Sequence, residues 1–262
     1  MTGWARCIPL NRRGLKLYAL AALSVAAGWL LPGLLVRDEV SFMMACLLSA
    51  LQEIMMFGLP AWLLLRALPG AKGIREALHR PGAYYSGLAM LSAVSFVLVG
   101  ALLGAMFYTL LTSLGLEPAL PPVITPASLP ELLLAALTIG GVTAVCEELF
   151  FRFALPQTLG RFLGPRLTVA VCALLFAVLH LNVAGIPTLL LFALLMHRLL
   201  ARRGSLLLPV IFHAMYNFSI LVINYTQAAP NFQMILLSAG LFTLGARLLM
   251  KEEKNEADRP GL

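Results

Sequence analysis

Charge is scarce in this chain. Only 12% of its 262 residues are charged against 60% hydrophobic, with a mean hydropathy of +0.90, where a soluble domain usually carries about 25% charged residues. That scarcity excludes a soluble globular domain. The four cysteines, Cys7, Cys46, Cys146 and Cys172, form no CxxC pair and no ligand spacing, and three fall inside apolar runs; they read as small buried side chains, not as a disulfide framework or a zinc ribbon. HExxH and GxSxG are both absent, so neither the helical zinc signature nor a nucleophile elbow is present. No internal repeat is strong enough to suggest an inverted-repeat transporter. The net charge of +7 and pI near 9.6 do not imply nucleic acid, because the basic residues form no continuous patch with interleaved aromatics.

Long apolar runs are what the sequence has in plenty. Taking about 20 apolar residues as one bilayer crossing, eight candidate spans appear: Gly14 to Val36, Val40 to Leu65, Ser86 to Leu111, Leu132 to Leu155, Leu167 to Val183, Ile186 to Leu200, Leu206 to Ile223 and Phe232 to Met250. The first follows a basic leader, Arg12, Arg13 and Lys16, but its apolar run exceeds a signal-peptide core, so it is expected to be a retained helix. With the N-terminus in the cytoplasm, all of the 19 basic residues except Arg37 and Arg152 fall in the inner loops and tails. That is the asymmetry of the positive-inside rule, and it predicts eight spans with both ends cytoplasmic.

The expected fold is therefore all-α: a polytopic membrane helix bundle of about eight transmembrane helices with an active-site cavity near the bilayer midplane. Residues 1–250 form one transmembrane domain and 251–262 a charged cytoplasmic tail, KEEKNEADRPGL, solvated by its own charge. The segment Leu68 to Tyr85 mixes glycine, proline and basic residues and is expected at the inner interface as a short amphipathic helix. The outer loop Leu116 to Pro130 holds Pro118, Pro121, Pro122, Pro126 and Pro130 and is expected to be extended and semi-rigid.

Inside the spans, strongly polar side chains are few: Gln52 and Glu53; Glu147, Glu148 and Arg152; His180; and His213 with Asn217. Burying an ionisable group in a bilayer costs at least about 2.5 to 3.5 kcal/mol on insertion scales, so such a set marks a functional site. Glu148 and Arg152 are four apart on one helix and can neutralise each other, which leaves Glu147, turned about 100° away, free to point elsewhere. Phe176 with His180, and His213 with Asn217, share faces at the same spacing. Glu147, His180 and His213 each fall near the middle of a span, so three helices can deliver them to one cavity. Each group also has a bland reading: an ion pair holding helices together for Glu148 and Arg152, interhelical glue for Asn217, structural histidines for His180 and His213. Glu147 resists such a reading, because Arg152 cannot neutralise two carboxylates. Glu53 reads as a supporting or water-facing group and His197, beside Arg198, as interfacial.

A carboxylate beside a neutral imidazole can hold a water and take its proton. An imidazole and an asparagine amide can donate to one developing oxyanion. These are parts of a peptide-hydrolysing site, although Glu147, His180 and His213 also make three potential metal ligands.

The motifs carry a resemblance. Glu147-Glu148-Leu-Phe-Phe-Arg152 fits EExxxR, Phe176-Ala-Val-Leu-His180 fits FxxxH and His213-Ala-Met-Tyr-Asn217 fits HxxxN. In this order they resemble the CPBP family of intramembrane proteases, which includes the CAAX prenyl proteases of the Ras-converting type and bacterial, Abi-like relatives linked to bacteriocin processing and immunity. The ordered match covers residues 147–217; the first three spans match only in being hydrophobic. The resemblance implies a glutamate-type endopeptidase without cofactor in which Glu147 and His180 activate water, His213 and Asn217 stabilise the oxyanion, and Glu148, Arg152 and Phe176 support them. It implies a membrane-anchored or transmembrane peptide as substrate, the lipid bilayer as solvent and a bacterial inner membrane as location. The family was long described as metal-dependent, so a zinc version holding its ion through Glu147, His180 and His213 is the alternative within the class. The spacing from FxxxH to HxxxN is shorter than in eukaryotic CAAX enzymes, so a prenylated substrate is not implied. Two other classes compete: a membrane scaffold regulating a partner such as a sensor kinase, and a transporter using the acids and histidines as a proton relay.

Overall fold

The computed structural model describes residues 12–35, 40–120 and 123–251. The basic leader before Arg12, Arg37, Pro121, Pro122 and the tail after Lys251 lie outside the described residues. All regular structure among the described residues is helical. The helices are α1 (Arg12–Leu35), α2 (Phe42–Ala67), the single turn α3 (Ile74–Ala77), α4 (Ala83–Ser113), α5 (Leu129–Leu159), α6 (Pro165–Leu179), α7 (Ile186–Arg203), α8 (Leu207–Thr226) and α9 (Phe232–Met250). Among the described residues eight helices of 15 residues or more overlap the eight apolar runs, while the amphipathic helix expected between α2 and α4 is reduced to one turn.

Local chemistry sets the ends. Ser128 caps α5 by accepting from the Glu131 amide at 3.4 Å, and the Glu131 carboxylate accepts from the Ala127 amide at 2.7 Å. This is a reciprocal capping arrangement with Pro130 in the first turn. Asn231 caps α9 through the Met234 amide. Gly204, at φ +69°, ends α7 in the left-handed conformation that glycine adopts without steric cost.

α2 and α5 are not uniform helices. Residues Ile54–Gly58 in α2, and Ala136–Val142 and Leu149–Ala154 in α5, are π-helical. Each such turn carries an extra residue, which re-aims the side chains around it and disturbs the carbonyl ladder, and such turns recur at functional sites. Here they flank Glu53 and bracket the stretch Thr143–Glu148 on both sides.

α4 packs along α8 and α9, α1 along α2, α6 along α7, and α8 against the first π-helical segment of α5. Without a hydrophobic driving force between helices in lipid, such contacts rest on close van der Waals packing. At the α4–α7 crossing, Thr188 Oγ1 donates to the Gly100 carbonyl at 2.7 Å, and a Cβ on Gly100 would meet Thr188 Cγ2 at 2.7 Å. The core centres on an aromatic cluster in which Phe176 stacks on Phe192 at 5.7 Å and meets Phe151 edge-on at 5.3 Å.

Among the described residues, five helices are long and apolar enough to cross a membrane: α2, α4, α5, α8 and α9. α6 is apolar but only 15 residues long; α1 begins with Arg12, Arg13 and Lys16, and α7 ends with Arg202 and Arg203.

Candidate active site

Glu147 and Glu148 close the α-helical stretch between the two π-helical segments of α5 and are 4% and 0% exposed. Arg152, 3% exposed, brings its Nε to 3.0 Å from Glu148 Oε2, an ion contact without hydrogen-bond alignment. Its guanidinium lies 4.5 Å from the Phe176 ring centroid, a cation–π contact worth roughly 2 kcal/mol when desolvated. Phe176 therefore links the EExxxR and FxxxH motifs physically, and its ring also lies 4.6 Å from that of His180.

Glu147 and Glu148 point to different sides of the His213 ring. Its Nδ1 lies 2.9 Å from Glu148 Oε1 and its Nε2 3.7 Å from Glu147 Oε2. With Glu148 as acceptor, His213 donates from Nδ1 and turns Nε2 toward Glu147.

His180 does not lie mid-helix as expected. α6 stops at Leu179 and His180 is its C-cap, followed by Leu181 at φ +51°, a backbone region that non-glycine residues seldom enter. The termination frees the ring to donate from Nδ1 to the Phe176 carbonyl at 2.7 Å, leaving Nε2 3.9 Å from Glu147 Oε1. Glu147 thus faces one ring nitrogen from each histidine, at distances too long for direct hydrogen bonds.

Asn217, one turn beyond His213 on α8, donates from Nδ2 to the Ile139 carbonyl at 3.0 Å. Ile139 lies within the first π-helical segment of α5, so that segment supplies the acceptor which orients the amide and leaves its second N–H available. Glu147, His180, His213 and Asn217 line one cavity of about 420 Å³, with Glu53, Gln52, Thr143 and Trp29 on its other walls.

One residue stands elsewhere than its sequence neighbours suggest. His197 is buried, not interfacial, because α7 packs against α6 and carries it into the bundle, within electrostatic range of Arg152 and Glu148. Glu53 lines the cavity, a position in keeping with a supporting or water-facing group.

Metal ligation has a physical requirement of its own, and the donors meet it poorly. Among the described residues no group of three histidine, cysteine, aspartate or glutamate side chains is arranged to hold a metal ion, and the remaining polar group, the Asn217 amide, is a poor zinc ligand.

Fold and site together define an integral membrane protein, all-helical in its described residues, with buried carboxylates and imidazoles gathered around one cavity. Residues 129–219 match the family described as Rce1-like, type II CAAX prenyl endopeptidase. This supports assignment to the CPBP/CAAX protease family and, with it, a peptidase class of hydrolase. No curated protein and no solved structure matches the chain.

Proposed function

We propose that the chain is an intramembrane endopeptidase that hydrolyses a peptide bond of a membrane-associated protein or peptide, with Glu147 as the base. The observation that carries this reading is the convergence of Glu147, His180, His213 and Asn217 on one cavity inside a segment that matches a protease family. A water held between Glu147 and His180 Nε2 gives its proton to the carboxylate, and its oxygen bonds to the scissile carbonyl carbon. The carbonyl oxygen takes up the negative charge. The free N–H of Asn217, and His213 when both its nitrogens carry protons, donate to that oxygen; Glu148 Oε1 at Nδ1 supplies the counter-charge. Collapse breaks the C–N bond, and the proton held by Glu147 passes to the leaving nitrogen. Arg152 and Phe176 hold Glu148 and His180 in place.

In this reading residues 1–250 form one transmembrane domain of eight spans in a bacterial inner membrane, and both termini lie on the cytoplasmic side, where nearly all the basic residues fall. A reporter fused to the C-terminus should read out as cytoplasmic; an outside readout contradicts the eight-span arrangement. For the reaction itself, purified protein acting on membrane peptides in heavy-oxygen water should place one label in the new carboxyl terminus. Cleavage without that label would exclude hydrolysis.

A further inference from the structure

Of the two carboxyl groups that line the cavity, Glu53 has no cationic or imidazole partner among the described residues. Of its carboxylates and their neighbours, Glu148 is balanced by Arg152 and His213, and Glu147 faces the two imidazoles. Glu53 has neither. Its Oε2 is buried without a hydrogen-bond partner, no ion pair reaches it among the described residues, and no lysine or arginine lines the cavity. A carboxylate kept in a membrane-embedded cavity without a counter-charge is expensive.

Its surroundings suit a cation. Ser49, Gln52, Glu53 and Met56 form one face of α2 and line the cavity together, and the π-helical turn Ile54–Gly58 begins directly after Glu53. Gln52, with an amide oxygen to offer, lines the same cavity. Trp29 of α1 lines the same wall, and an indole is the aromatic ring that attracts cations best. Glu147 and His180 line the cavity too, so a group held at Glu53 lies within the same 420 Å³ as the reacting atoms.

We propose that Glu53, with Gln52 and Trp29, forms a subsite for a cationic group of the substrate beside the scissile bond, an ammonium or guanidinium. The proposal rests on the peptidase reading of this cavity and adds a substrate class to it: peptides with a lysine or arginine side chain, or a free α-amine, close to the cleaved bond. The cation supplies the counter-charge Glu53 lacks, and its seating fixes the register of the peptide against Glu147.

The test uses the full chain in lipid nanodiscs with decapeptides carrying a C-terminal hexadecyl anchor. A neutral parent is compared with a single-lysine scan, the matching norleucine and glutamate peptides, and free or acetylated N-termini. Cleavage by wild-type protein and binding to Glu147→Gln protein are both read. Lysine at one position should improve binding and kcat/KM about tenfold or more over norleucine, the worth of one charge-assisted hydrogen bond. A gain that follows the free N-terminus instead assigns the subsite to an α-ammonium group. Glu53→Gln should erase the gain, and Glu53→Lys should shift preference to the glutamate peptide. Equal handling of all peptides, or a lysine preference that survives Glu53→Gln, overturns the subsite. Lysine-selective binding without cleavage of any peptide would instead sink the peptidase reading and leave the subsite standing.

Discussion

Glu147→Gln is expected to lower peptide cleavage by about 10²–10⁴-fold, the usual worth of a positioned general base, while the protein folds and stays in solution as wild type does. The amide keeps the volume of the carboxyl group but cannot accept the water's proton. Little structural loss accompanies the change, because among the described residues Glu147 makes no direct hydrogen bond and meets the two ring nitrogens only at 3.7 and 3.9 Å. Glu148→Gln, one residue along, should behave differently. It removes the contact to Arg152 at 3.0 Å and weakens the hold on His213 at 2.9 Å, leaving a buried guanidinium uncompensated at a cost on the order of 3–5 kcal/mol. Thermal unfolding in detergent should show a large drop for Glu148→Gln and almost none for Glu147→Gln. Wild-type cleavage by Glu147→Gln protein would remove it as the base.

The second large effect falls on Asn217. Asn217→Ala should reduce turnover by roughly 10²–10³-fold, as loss of an oxyanion donor does elsewhere, with a smaller change in KM because the donor acts on charge that develops only during reaction. The Ile139 carbonyl, which now accepts from its Nδ2 at 3.0 Å, loses that bond as well, so circular dichroism should accompany the kinetics. The same view of Asn217 separates the two chemistries open to this cluster. If its amide and His213 face an oxyanion, purified protein should carry no stoichiometric metal and keep its activity through prolonged chelation. One tightly bound zinc per chain, with activity lost on its removal and restored by zinc alone, would overturn this assignment and make His213 a ligand.

Much of this arrangement was legible from scarcity. In a chain so apolar, each polar residue within a span costs enough to need a reason, and the set found that way contains the residues that line the cavity: Glu147, His180, His213, Asn217 and Glu53. The i, i+4 pairing of Glu148 with Arg152 was also readable and survives at 3.0 Å. What escaped were departures from ideal helix geometry. The π-helical turns beside Glu53, Ile139 and Glu148 leave no local signature, because packing between helices decides where an extra residue is absorbed. One of them places Ile139, whose carbonyl accepts from Asn217. The end of α6 at Leu179 was equally hidden, since the apolar run continues to Val183 while Leu181 takes a left-handed backbone that its side chain does not advertise. His197 was misread because proximity to Arg198 suggested the interface; burial depends on which face of α7 meets the bundle, and a charged neighbour in sequence does not report that.

The central claim, that this chain cuts membrane peptides through Glu147, is tested most directly by comparing membrane-peptide termini, by mass spectrometry, in cells producing wild-type or Glu147→Gln protein at equal levels. The account predicts at least one new terminus, within or next to a membrane-associated segment, that is present with wild type and missing with Glu147→Gln. Identical sets of termini in the two strains, with both proteins folded and membrane-inserted, would contradict it and favour a scaffold that binds without cleaving.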